Sequence, residues 1–138
     1  MIYLALGSNL GDREWNLEQA LALLAEKLRV DMLCSQVIET QAEGFDGQPF
    51  LNQAVAFESE IEPEALLDLC QEVEQALGRP AHEAEYDDHG RRIYHDRTMD
   101  IDILMFNGQE IHTARLDIPH PQIWERPYVK EILNDVTK

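Results

Sequence analysis

Positive charge is scarce in this chain. Its 138 residues include 11 Lys or Arg against 27 Asp or Glu, a formal charge of −16. Residues 30–78 contain no Lys or Arg at all. A chain of this sign repels phosphate backbones, which excludes a general nucleic-acid binder. Long apolar runs are also missing: none approaches the ~20 residues of a membrane helix. The opening residues Met1 to Gly7 lack the basic flank and length of a signal peptide. Cysteine is nearly absent. Cys34 and Cys70 form neither a CxxC pair nor a zinc-ligand spacing, so each is expected to be buried as a small apolar group. With no export signal and no disulfide framework, the expected compartment is the cytoplasm.

The 44% apolar and 28% charged residues fit one globular domain over residues 1–138. No repeat, low-complexity tract or linker interrupts it. A chain of this size buries enough surface to fold without a structural metal, and a monomer is expected.

Two hydrophobic periods alternate along the chain. Ile2 to Leu6 is a short apolar run ending at Gly7-Ser8-Asn9, which predicts a buried strand. Asp12 then offers a cap. Leu17, Leu21, Leu24 and Leu28 follow at helical spacing and predict a helix over about 13–27. Residues 29–40 predict a strand, 41–49 a loop, and 50–60 a second strand with partial alternation. Pro63 suits a helix start and Gly78 its exit, with Leu66, Leu69, Cys70, Val73 and Leu77 on one stripe between them. Residues 79–97 are polar and weakly patterned. They are expected to be structureless, mobile in the empty protein and able to close over ligands. A strand over 98–106 ends at Asn107-Gly108, a strong hairpin signal, with a short return over 109–112. A short helix is expected to close the chain. The order β-α-β-β-α-β predicts an α+β, ferredoxin-like fold. Two helices would then cover one face of an antiparallel sheet and leave the other free for a site.

The sharpest chemical signal is Asp100-Ile101-Asp102. On a strand, residues i and i+2 share a face, so both carboxylates project together while Ile101 and Ile103 enter the core. Such a pair is costly unless a positive partner neutralises it. Two hard oxygen donors suit Mg²⁺ held together with substrate phosphates; an ordinary solvated strand face is the alternative. Six of the eleven basic residues, all arginines, lie between positions 79 and 126: Arg79, Arg91, Arg92, Arg97, Arg115 and Arg126. Forked guanidinium contacts suit phosphate oxygens; surface ion pairs offsetting the acidic surplus are the rival explanation. Gly7-Ser8-Asn9-Leu10-Gly11 has neither the Walker A lysine nor G-x-G-x-x-G spacing, so it is a turn and helix start. His120 lies in the stiff Ile118-Pro119-His120-Pro121 segment, flanked by Arg115 and Arg126. Phe50 and Asn52 share a strand face, where a ring beside an amide could take a flat heterocycle. From spacing alone, core packing is the better account of Phe50.

Four blocks together resemble a known family. Leu4-Ala5-Leu6-Gly7-Ser8-Asn9-Leu10-Gly11-Asp12, Phe50-Leu51-Asn52-Gln53-Ala54-Val55, Arg97-Thr98-Met99-Asp100-Ile101-Asp102-Ile103-Leu104 and Arg115-Leu116-Asp117-Ile118-Pro119-His120 look like 6-hydroxymethyl-7,8-dihydropterin pyrophosphokinases. The resemblance implies a ferredoxin-like α+β fold and transfer of the diphosphate of ATP to the pterin hydroxymethyl group, with release of AMP, in folate biosynthesis. It further implies that Asp100 and Asp102 bind two Mg²⁺ ions and that Arg79 and Arg97 act from a mobile loop. Gln71, Glu74, Arg115, His120 and Arg126 would hold ATP. Thr40, Phe50, Asn52, Tyr94 and Tyr128 would surround the pterin. The sequence departs from the family pattern at His95-Asp96, where a small residue and a proline are usual. Thr40-Gln41-Ala42 replaces Thr-Pro-Pro, and residues 79–97 form a longer, acidic segment. Two rivals stand beside this reading: a Mg²⁺-dependent phosphoryl or nucleotidyl transferase with a non-pterin acceptor, and a non-catalytic ferredoxin-like ligand-binding domain.

Overall fold

A computed structural model describes residues 1–41, 47–78, 85–86, 92–93, 98–119 and 126–137. Strand β1 (Ile2–Ser8) leads to helix α1 (Arg13–Leu28), then to the short strands β2 (Leu33–Cys34) and β3 (Ile38–Thr40). Strand β4 (Phe50–Phe57) and helix α2 (Pro63–Ala76) follow, then β5 (Glu85–Tyr86), β6 (Arg92–Ile93) and β7 (Asp100–Phe106). Strands β8 (Ile111–His112) and β9 (Asp117–Ile118) precede helix α3 (Pro127–Val136). The main sheet is antiparallel in the order β2-β4-β1-β7, with β3 also paired to β4. Its first strand is thus central, between β4 and β7, as the ferredoxin-like β-α-β-β-α-β plan requires.

Local chemistry accounts for the helix boundaries. The Asp12 side chain accepts from the Trp15 backbone N–H at 3.1 Å and caps α1. Arg29, left-handed at φ 55°, ends it. Pro63 occupies the first turn of α2, where its missing N–H leaves no partner unmet. On one face of the sheet, Ile2, Leu4, Leu6, Val55, Phe57, Ile101 and Ile103 bury themselves against Leu17 and Leu24 of α1 and Leu66 and Val73 of α2.

Several expectations need correction. The opposite face is not left free: α3 covers half of it, setting Val129, Ile132, Leu133 and Val136 on the row Ala5, Ala54 and Ala56. Three alanines leave a helix room to approach. A register shift in β7 between Tyr3 and Leu4 makes Leu104 an extra residue, and both Leu104 and Met105 join the α3 cluster. The predicted strand over 29–40 is broken. Between β2 and β3 the Ser35 hydroxyl takes the Ala54 N–H at 2.8 Å, and the Gln36 N–H turns to Asp135 Oδ2 at 3.0 Å. Cys70 is buried as expected, but Cys34 lies exposed on this outer strand. Residues 79–97 are not wholly structureless, since β5 and β6 pair antiparallel; their expected mobility falls on residues outside the described set. After the Asn107-Gly108 turn, whose positive φ values of 51° and 71° the sequence signalled, only Gln109 bridges back to β7. Ile111 and His112 pair instead with β9.

The alanine row yields a test. Ala54→Leu overfills the seam beneath α3 and should lower the unfolding free energy by about 1–3 kcal/mol. A chemical-denaturation midpoint equal to that of the wild type would refute this packing account.

Candidate active site

The half of this face beyond α3 carries the polar residues singled out from the sequence. In β7, Asp100 stands opposite Gly7 of β1, and Asp102 stands opposite Ala5. Both carboxylates share this face, half-buried, while Ile101 and Ile103 are buried in the core behind them. On the other side of β1, Asn52 of β4 also stands opposite Gly7. Asn52 and Asp100 are therefore separated by two strand spacings, roughly 10 Å, with Gly7 as the floor between them. A Cβ added at Gly7 would meet Asn52 Oδ1 and a Phe50 ring carbon, each at 3.4 Å. The missing side chain keeps the floor flat and brings both groups to its edge.

Asn52 is firmly held. Its Nδ2 donates to Thr40 Oγ1 at 2.8 Å and to the Ile38 carbonyl at 3.3 Å, which directs its Oδ1 over Gly7 as an acceptor. Phe50, paired with Thr40 across β3 and β4, is half-buried beside it rather than sunk in the core. At the opposite rim, Arg126 stands at the N-cap of α3, and its Nη1 donates to the Tyr128 hydroxyl at 3.1 Å. On α2, the buried Glu74 accepts the Ile101 backbone N–H at 3.0 Å through Oε2. This contact fixes the start of β7 between the two aspartates. Gln71 is exposed one turn earlier on α2. Arg115 joins the same helix through its 2.5 Å contact with Asp68, one further turn back. Arg79, Tyr94, Arg97 and His120 lie outside the described residues. The structure thus gathers Thr40, Phe50, Asn52, Asp100, Asp102, Arg126 and Tyr128 on one face. It sets Glu74 behind β7, and Gln71 and Arg115 along α2.

Comparison with known proteins identifies the frame. The family model for 7,8-dihydro-6-hydroxymethylpterin-pyrophosphokinase matches residues 3–138. The chain belongs to this family. A 2-amino-4-hydroxy-6-hydroxymethyldihydropteridine pyrophosphokinase of Porphyromonas gingivalis is 40% identical over 138 residues, covering 99% of this chain and 90% of the relative. The Bacillus subtilis enzyme of the same name is 40% identical over 137 residues, 97% of this chain and 76% of its own. In Arabidopsis thaliana, a folate synthesis bifunctional protein is 35% identical over 136 residues, which make up 98% of this chain and 26% of that protein.

In this family member the electrostatics centre on the carboxylates. Burial pushes the Asp102 carboxyl well above the usual range; its hydrogen-bonded neighbour Asp100 and nearby Glu74 add to the rise, and Arg126 opposes it. Burial likewise raises the Tyr128 hydroxyl against the pull of Arg126. Desolvation works to lower the Arg126 guanidinium, but Tyr128, Asp102 and Asp100 outweigh it and hold the charge. Among the described residues no three His, Cys, Asp or Glu side chains converge as a complete metal cage. Two carboxylates on one strand face form an incomplete donor set. That fits Mg²⁺, which keeps waters and takes further oxygens from phosphates.

Sequence reasoning missed the braces beneath this face. Asn16, buried on α1, donates to Ser8 Oγ at 3.2 Å and to the Leu10 carbonyl at 2.9 Å. Asn9 donates to the Gln48 carbonyl at 2.9 Å. The available signal was Asn16 itself, a polar residue one position from the Leu17 stripe.

The raised Asp102 carboxyl gives a pH-dependent expectation. The folded state keeps a proton that the unfolded chain releases above about pH 4, so stability falls as pH rises past that point. Asp102→Asn carries no such charge. Without divalent cations, its advantage in denaturation midpoint over wild type should widen from about pH 5 to about pH 8; a constant or shrinking difference would contradict the electrostatic picture.

Proposed function

We propose that this chain transfers the diphosphate of ATP to 6-hydroxymethyl-7,8-dihydropterin, releasing AMP, with the heterocycle over Gly7 and the polyphosphate over Asp100 and Asp102. The observation that carries this reading is the placement of an oriented amide and a carboxylate pair on one sheet face, separated by a glycine floor. Membership of the pyrophosphokinase family supports the same reaction and the pathway to folate.

Asn52 Oδ1 offers an acceptor to N–H groups on the pterin edge, with Phe50 and Tyr128 as aromatic walls and Thr40 at the rim. Asp100 and Asp102 would hold two Mg²⁺ ions together with phosphate oxygens. When bound, such ions neutralise phosphate charge and fix its geometry. Glu74, by anchoring Ile101, keeps both carboxylates pointing to the site. Arg126 faces the developing charge, and Gln71, Arg115 and His120 serve the nucleotide. By the resemblance to the family, Arg79 and Arg97 would act in the transfer and Tyr94 would contact the pterin. The reaction is an in-line displacement. The hydroxymethyl oxygen forms a bond to the β-phosphorus, the bond from that phosphorus to the oxygen retained by AMP breaks, and the hydroxyl proton leaves to solvent. Catalysis of this kind is positioning and charge stabilisation. We assign the enzyme to the cytoplasm as a monomer, acting on small molecules apart from nucleic acid and membrane. The acidic charge excess weighs against nucleic acid, and no helix among the described residues is long and apolar enough to cross a membrane.

AMP formation from ATP, Mg²⁺ and 6-hydroxymethyl-7,8-dihydropterin is the direct assay. Asp100→Ala and Asp102→Ala should each reduce turnover by at least about 100-fold while keeping the folded circular-dichroism spectrum. A well-folded Asp102→Ala protein with near-normal AMP release would defeat the assignment. Omitting Mg²⁺ and adding a chelator should abolish turnover; unchanged AMP formation would remove the metal from the reading.

A further inference from the structure

The heterocycle end of the site is built from two stems that need an external tie. Thr40 closes β3 and Phe50 opens β4; residues 41–49 lie between them in sequence. Thr40 and Phe50 stand on the site face, so the intervening register partners Glu39 and Leu51 face the other way, toward α1. From that reverse side one nitrogen reaches both stems. Arg13 Nη1 donates to Glu39 Oε2 at 2.8 Å and to the Pro49 carbonyl at 2.9 Å. Glu39 directly precedes Thr40, and Pro49 directly precedes Phe50. A single guanidinium nitrogen therefore ties the stems together immediately behind two residues of the site.

Arg13 occupies an electrostatically poor position for this. It is the first residue of α1, next to the Asp12 cap, where the helix dipole disfavours a cation. Helix chemistry gives no reason for arginine here, whereas the bond to Glu39 and the charge-assisted bond to a carbonyl on the facing stem do.

We propose that Arg13 is a positioning residue that sets the width of the heterocycle end of the site by clamping Glu39 to the Pro49 carbonyl. The proposal rests on the pyrophosphokinase reading and adds to it a residue that touches neither substrate. Holding Glu39 and the Pro49 carbonyl on one nitrogen fixes the separation of the two stems, so the clamp acts on pterin affinity rather than on phosphoryl transfer.

Arg13→Ala should raise KM for 6-hydroxymethyl-7,8-dihydropterin about 3- to 10-fold, modest because Arg13 and Glu39 side chains are 31% and 54% exposed. KM for ATP and kcat should each change less than about twofold. Arg13→Lys, which keeps one cationic nitrogen, should recover part of the loss. Glu39→Ala should raise the pterin KM in the same direction, and the double variant should show less than the product of the two effects; this second variant keeps the test open if Arg13→Ala fails to fold. An unchanged pterin KM in both single variants, or a loss shared equally by ATP, overturns the clamp. Wild-type protein that forms no AMP from ATP and the pterin would instead overturn the functional reading on which the clamp rests.

Discussion

The structure depends on two carboxylates held close together and partly out of water. Asp100 and Asp102 share a strand face because β7 alternates strictly through Ile103, and Ile101 and Ile103 lock that alternation by burial. Without cations this arrangement is unfavourable, as the raised Asp102 carboxyl records. The rest of the fold supplies the means to hold it. Glu74 secures the backbone between the aspartates, Arg126 supplies one compensating charge, and α1 and α2 form a rigid backing. Stability is given up at the carboxylate pair on which the proposed function rests, a common relation between strain and function.

The second constraint is space. Gly7 at the floor and the alanines under α3 are all small residues on one face, used for different ends. The alanines let a helix descend onto the sheet. The glycine prevents a side chain from entering the gap between Asn52 and Asp100. One sheet face is thereby divided into an apolar half packed under α3 and a polar half, with Arg126 and Tyr128 beside them.

Much of this was legible in the sequence because it depends on short periods. The shared face of Asp100 and Asp102 follows from a two-residue repeat, and α2 from a clear apolar stripe bounded by Pro63 and Gly78. The Asp12 cap and the Asn107-Gly108 turn rest on local backbone chemistry and were equally readable. What escaped was non-local. The break at Ser35 arises because its hydroxyl meets the Ala54 N–H across the sheet, and the exposure of Cys34 follows from its place on an outer strand. Nothing within residues 127–136 states which face that helix will cover. The roles of Asn9, Arg13 and Glu39 are visible only once 39–40 and 48–50 stand beside the start of α1.

The extra residue at Leu104 reverses the alternation of β7 partway along its length. Upstream, odd-numbered side chains point to α1 and α2; downstream, the inward and outward assignments change phase. A strand that changes phase in its middle separates the side chains that grip the last helix from the acidic pair before them, so a shift at the helix end need not rotate the pair.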